Sequence, residues 1–135
     1  GSAKITDFGL SSILKHAEVH VDPKQQGAVH WRSPEYLRGD RLTLASDIYS
    51  LGMVIVEAMT GEPPHGRMAE PSSVRNWTKK GILPLQPECL SDSHWNLIKM
   101  MCAPDPLQRV KIEFVVDKLH EFWQQTRPKR RKSKL

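Results

Sequence analysis

Asp7-Phe8-Gly9 ends a short polar–apolar alternation, Lys4-Ile5-Thr6-Asp7, with a carboxylate followed by a glycine that can turn the chain. A carboxylate at a strand end can ligate a hard divalent cation, which prefers oxygen donors; the alternative is a surface aspartate with no ligand. Ser11 and Ser12 are the only hydroxyls between Gly9 and Trp31, so a phosphate added to this stretch would fall on one of them. Further on, Ser33-Pro34-Glu35, Ser46-Asp47 and Asp105-Pro106-Leu107-Gln108-Arg109 set charged groups where helices would start. Asp47 stands in a first turn, where the helix dipole favours an acid. His16, His20 and His30 lack the helical or C-x-x-C spacing of a zinc site. Cys89 and Cys102 form no C-x-x-C either and are expected to be reduced, buried thiols.

The elements that must position these residues are mostly helical. A short strand over 4–7 gives way to about twenty irregular residues punctuated by Asp22-Pro23 and Gly27. Irregular stretches that long usually carry function or remain disordered. Ser33 then caps a short helix with proline at its first position, ended by Gly39. The stretch 43–60 is apolar on almost every side, which predicts a central, buried helix stopped by Gly61-Glu62-Pro63-Pro64. A weaker helix follows over 71–80, with Val74 and Trp77 on one side and Gly81 as its stop. Ser91-Asp92 caps another, ended before Pro104, with His94, Trp95, Leu97, Ile98 and Met101 on one side. The last helix, 110–125, carries Ile112, Val115, Val116, Leu119, Phe122 and Trp123 at steps of three and four, a stripe expected to pack into the core.

Length and charge narrow the class. With 135 residues, one domain is expected. Formal net charge is +5, but six cations lie in the last nine residues. Residues 1–126 hold 14 basic against 15 acidic side chains, a net of −1, so the basic character belongs to a tail over 127–135. Such a run is expected to stay solvated; it offers nuclear import or an acidic partner, while nucleic-acid binding by the folded part is not expected. No signal-like opening and no apolar run near the ~20 residues of a membrane span is present, which predicts a soluble, cytoplasmic chain without a membrane partner.

In order and spacing, Asp7-Phe8-Gly9, then Gly27-Ala28-Val29-His30-Trp31 with Ser33-Pro34-Glu35, then Ser46-Asp47-Ile48-Tyr49-Ser50-Leu51-Gly52, then Asp105 to Arg109, resemble the second half of a protein kinase catalytic domain. Trp31 and Gly61-Glu62-Pro63-Pro64 look most like the tyrosine-kinase-like branch, most of whose members are serine/threonine kinases. The resemblance implies a protein-kinase-like α+β parent fold, of which this segment is the mainly α C-terminal lobe. It divides into an activation segment at 7–35, a helical lobe at 36–126 and the tail. It further implies ATP and Mg²⁺ as cofactors, Asp7 as metal residue, and Phe8 packed inward. Glu35 and Arg109 would form a buried ion pair anchoring the loop between them and the metal residue. Asp47 would be a buried acceptor for backbone N–H groups of the catalytic loop. Protein hydroxyls would be the substrate.

The 135 residues hold no G-x-G-x-x-G, no V-A-I-K-type lysine and no H-R-D-x-x-x-x-N. These motifs supply the phosphate cover, the phosphate-pairing lysine and the catalytic base. Together with Gly1 in place of Met, this predicts a piece of a longer kinase whose N-terminal part is its missing partner, inactive alone and with one side of the 43–60 helix bare. Ala28 stands where serine/threonine kinases commonly carry a threonine that contacts the catalytic machinery. That departure keeps a pseudokinase-derived interaction module as the alternative, with a tail-driven nucleic-acid binder as a weaker third class.

Overall fold

Local signals bound most of the helices. The computed structural model describes residues 1–4 and 28–128. The Ser33 hydroxyl accepts the Tyr36 N–H at 3.3 Å and starts α1, Pro34–Arg38, which Gly39 closes in the left-handed region at φ 81°. α2, Leu44–Thr60, opens with the Thr43 N–H donated to the Ser46 hydroxyl at 3.1 Å. It closes at Gly61. α3, Pro71–Lys79, starts on a proline whose missing N–H needs no partner there. α4, Asp92–Met101, is capped by Ser91, and α5, Ile112–Thr126, is the last. Short 3-10 turns occupy Val29–Trp31 and Pro106–Gln108. Among the described residues the fold is all helix, with no strand.

α2 is the post against which the rest packs. Tyr49, Met53 and Val56 on one of its faces meet Trp95, Ile98 and Met101 of α4, and Val115 of α5 completes this core. Met101 and Val115 are fully buried, contributing about 1.5–3 kcal/mol each. The helices come close because α2 carries glycine at position 52: a Cβ there would lie 2.6 Å from the Cys102 sulfur. A smaller core of Val29, Leu37 and Val74 joins the Val29–Trp31 turn, α1 and α3.

α2 is not buried all round: Leu44, Val54 and Met59 are exposed, on a helix for which one bare side was expected. Two expectations need correction. The α5 stripe is only partly core: Val115 is buried and Phe122 packs on the cluster, but Val116 and Trp123 are 56% and 50% exposed because α4 reaches only one narrow side of that helix. Cys89 is exposed, in the turn before α4, where its thiol donates to the Met59 carbonyl at 3.5 Å. Only Cys102 is a buried thiol, and burial pushes its pKa up to about 12, so it is not a nucleophile. Asp47 is exposed in the first turn of α2. The catalytic loop that would enclose it is not part of these 135 residues. The strand expected over 4–7 runs into residues outside those described.

Candidate functional site

The chemistry of this half of the molecule concentrates on the guanidinium of Arg109. It follows the Pro106–Gln108 turn, whose start is fixed by the Asp105 carboxylate accepting the Leu107 N–H at 2.9 Å. Nη1 and Nη2 donate to the two carboxylate oxygens of Glu35 at 2.6 and 2.8 Å, a bidentate pair with both side chains buried. Nη1 also reaches the Ala45 carbonyl at 2.9 Å, Nε the Ala103 carbonyl at 2.8 Å, and Nη2 the Pro104 carbonyl at 3.4 Å. Every N–H of the guanidinium is thereby used, which is the condition for keeping such a charge inside a protein. Tyr49 stacks its ring beneath the cation, 5.1 Å away.

Glu35 is held from a third direction by the Ser46 hydroxyl, which donates to Oε1 at 2.9 Å. Burial alone would raise its pKa. The hydrogen bond and charge of Arg109, its own backbone N–H and Ser46 outweigh burial and hold the carboxyl at about 2. The pair therefore fastens α1, the start of α2 and the α4–α5 connection at one point.

A second set of contacts fastens the same segment at the other end of α2. The Trp31 indole N–H donates to Glu57 at 2.9 Å, and His30 Nδ1 donates to the Pro64 carbonyl at 2.7 Å. His65, beside them, has a left-handed backbone at φ 69°, and burial followed by the charge of His30 lowers its pKa. Ala28, just before the Trp31 turn, is also left-handed at φ 62°, a conformation that costs an alanine about 1–2 kcal/mol. Strain of that size persists only where neighbouring contacts over-determine the backbone.

Of the site residues expected from sequence, Glu35 and Arg109 meet directly, Asp47 stands exposed one residue from Ser46, and Ala28 opens the fastened segment. Asp7, Phe8, Gly9, Ser11 and Ser12 lie outside the described residues, as do His16 and His20. Ser46 and Glu57 were not singled out. Glu57 had a readable signal, an acid in the middle of an apolar helix, and Ser46 had one in its place three residues after the Thr43 cap. Among the described residues no three His, Cys, Asp or Glu side chains come together as a metal site, and no helix is long and apolar enough to cross a membrane.

Comparison with known proteins adds a context for this geometry. A family model of protein tyrosine and serine/threonine kinases matches residues 1–119. The serine/threonine-protein kinase PrkC of Bacillus subtilis is 32% identical over 141 aligned residues, covering 90% of this chain and 20% of that protein. A leucine-rich repeat receptor-like serine/threonine-protein kinase of Arabidopsis thaliana is 32% identical over 133, covering 88% of the chain and 15% of the relative. The proline-rich receptor-like protein kinase PERK15, also of Arabidopsis thaliana, is 32% identical over 97, or 70% and 18%. The chain thus spans a fifth or less of the length of these relatives.

Proposed function

The chain belongs to the protein tyrosine and serine/threonine kinase family, and from that premise we propose that it is the substrate-side helical lobe of a serine/threonine kinase of tyrosine-kinase-like type. The complete enzyme would transfer the γ-phosphate of ATP to hydroxyls of protein substrates. The observation that carries this reading is the fully satisfied Arg109–Glu35 pair in a family-matched chain. Phosphoryl transfer depends mostly on positioning, and a buried staple that fixes residues 28–38 against α2 is a positioning device. It supplies neither base nor nucleophile.

Asp7 is the proposed Mg²⁺ residue, and Mg²⁺ would offset charge on the ATP phosphates. The described residues offer no metal cluster of their own, so the remaining ligands of such a site would come from elsewhere. These 135 residues are proposed to be inactive by themselves, because they contain no strand lysine, Gly-rich loop or H-R-D motif. The second reading, an interaction module without transfer activity, is favoured by Ala28 alone, which carries no hydroxyl at the start of the fastened segment.

The test is Mg²⁺-dependent phosphate transfer from ATP to a general serine/threonine protein substrate, using the full-length polypeptide that contains these residues. The kinase reading expects transfer that Asp7→Asn abolishes while the fold is retained. Absence of transfer in the folded wild-type polypeptide, or transfer unaffected by Asp7→Asn, contradicts it and leaves the interaction module.

A further inference from the structure

Among the described residues, the buried side-chain polar atom that finds no partner is Nε of Arg32. Buried donors are otherwise almost always paired, so an orphan on a cation asks for a ligand. The fastened segment 28–38 holds one other arginine, Arg38, and one acid, Glu35. Arg38 is engaged by Asp40 at 3.3 Å, and Glu35 gives both oxygens to Arg109. No acid of the segment is left for Arg32. The ion pairs among the described residues use Arg38, Arg67, Arg109 and Lys118 instead.

The backbone that carries this cation is fixed on both sides. The carbonyls of Ala28 and Val29 accept the N–H groups of Trp31 and Arg32 at 3.2 Å each, and Val29 and Ser33 are buried. Arg32 ends the turn in extended backbone, φ −82° and ψ 141°. Its side chain is part-buried, with the guanidinium carbon 4.3 Å from the centre of the Tyr36 ring. Stacking covers a flat face of the guanidinium and leaves its edge, where the N–H groups lie, for a carboxylate. A 3-10 turn rises ~2 Å per residue, so Arg32 stands on the order of 8 Å from Ala28. In the kinase reading Ala28 neighbours the catalytic machinery, and the hydroxyl to be phosphorylated lies near it. Two residues of an extended peptide span ~7 Å, which brings the side chains flanking that hydroxyl within reach of Arg32.

We propose that Arg32 is a specificity-determining residue that selects protein substrates with a carboxylate within two residues of the phosphorylated hydroxyl. The inference rests on the kinase reading and deepens it, by naming acidic segments as the substrate class. A flanking carboxylate supplies the partner that the described residues do not, and the planar guanidinium can meet it with two N–H groups. A lysine in the same place would meet a like charge, so the same side chain attracts one class and repels the other. Arg32 takes no part in making or breaking bonds.

The probes are fluorescein-labelled synthetic peptides with a single serine, identical except that the residues one and two places to either side of it are all glutamate, all alanine or all lysine. Each is titrated into the full-length polypeptide that contains these residues and read by anisotropy, and each is then offered as substrate with MgATP. The glutamate peptide should bind about tenfold more tightly than the alanine peptide, with the lysine peptide weakest. In transfer the preference should fall on KM rather than kcat, because the contact is made equally before and during the reaction. Arg32→Glu should reverse the order in favour of the lysine peptide, a gain that a misfolded variant cannot show. Arg32→Lys, which keeps the charge and loses the fork, should keep part of the preference. Equal binding of the glutamate and lysine peptides, or an order unchanged in Arg32→Glu, would overturn the proposal. So would an equal loss on all three peptides in that variant, which would give Arg32 a role in the fold alone. Transfer without charge preference would overturn this inference and leave the kinase reading standing. The expected binding order without transfer to any peptide would overturn the kinase reading and keep Arg32 as the receptor of an acidic segment.

Discussion

The two ends of α2 hold the same segment by opposite means. At the N-terminal end a buried ion pair has all its donors satisfied by Glu35 and three backbone carbonyls, with Ser46 completing the carboxylate. At the C-terminal end the ties are single hydrogen bonds from Trp31 and His30, part-buried, beside the left-handed His65 and an open cleft. The first end leaves charge nowhere to go if one partner is lost. The second can lose a bond and let water replace it. The difference teaches that the ion-paired end sets where the segment sits, while the cleft end can give.

The largest break of that contrast is Arg109→Met, which strands Glu35 among buried groups and should cost about 3–5 kcal/mol in urea unfolding. Acid titration breaks the same end more gently. The folded pKa of Glu35, about 2, lies below its ordinary 4.5, so its contribution is complete above pH 4.5 and disappears as pH falls toward 2. The loss should be on the order of 2–3 kcal/mol, and its slope should vanish in Glu35→Gln. Ser46→Ala removes a donor to Glu35 and the acceptor for the Thr43 N–H, for about 1–2 kcal/mol.

The cleft end should respond less. Trp31→Phe deletes the bond to a half-buried Glu57 and should cost about 1 kcal/mol. The smallest expected effect concerns His65, whose folded pKa is below the ordinary 6.5, by burial first and His30 second. Its unfolded form takes up protons more readily, so stability declines as pH falls through 6.5. His65→Asn, which tolerates the left-handed backbone, should flatten thermal stability between about pH 5 and 7. A response there as large as that of Arg109→Met would erase the contrast between the ends.

Much of the helical frame was legible in the sequence, because its signals are local. Ser33 with Pro34, Gly39, Gly61 and Ser91 each do in the structure what their types predict from backbone chemistry alone. The Glu35–Arg109 pairing came from the resemblance of whole motifs, since 74 residues of separation carry no local signal. Burial was read least well. The stripe on α5 has the right period, but periodicity states which residues share a face, not whether a second surface reaches it, and only Val115 is fully covered. Asp47 is exposed here, and its expected burial depends on a loop that these 135 residues do not contain. The left-handed conformations of Ala28 and His65 have no signature in residue type, since tertiary contacts impose them against local preference.

The most direct test of the central claim is a double-mutant cycle on the staple, with Glu35→Gln, Arg109→Met and both together compared with the wild type by urea unfolding. A buried, mutually dependent pair predicts that the double variant is far less destabilised than the sum of the singles, with a coupling on the order of 2–3 kcal/mol. Additive losses would contradict the account, because they would mean that each side chain contributes alone and that the segment from 28 to 38 is held by something else.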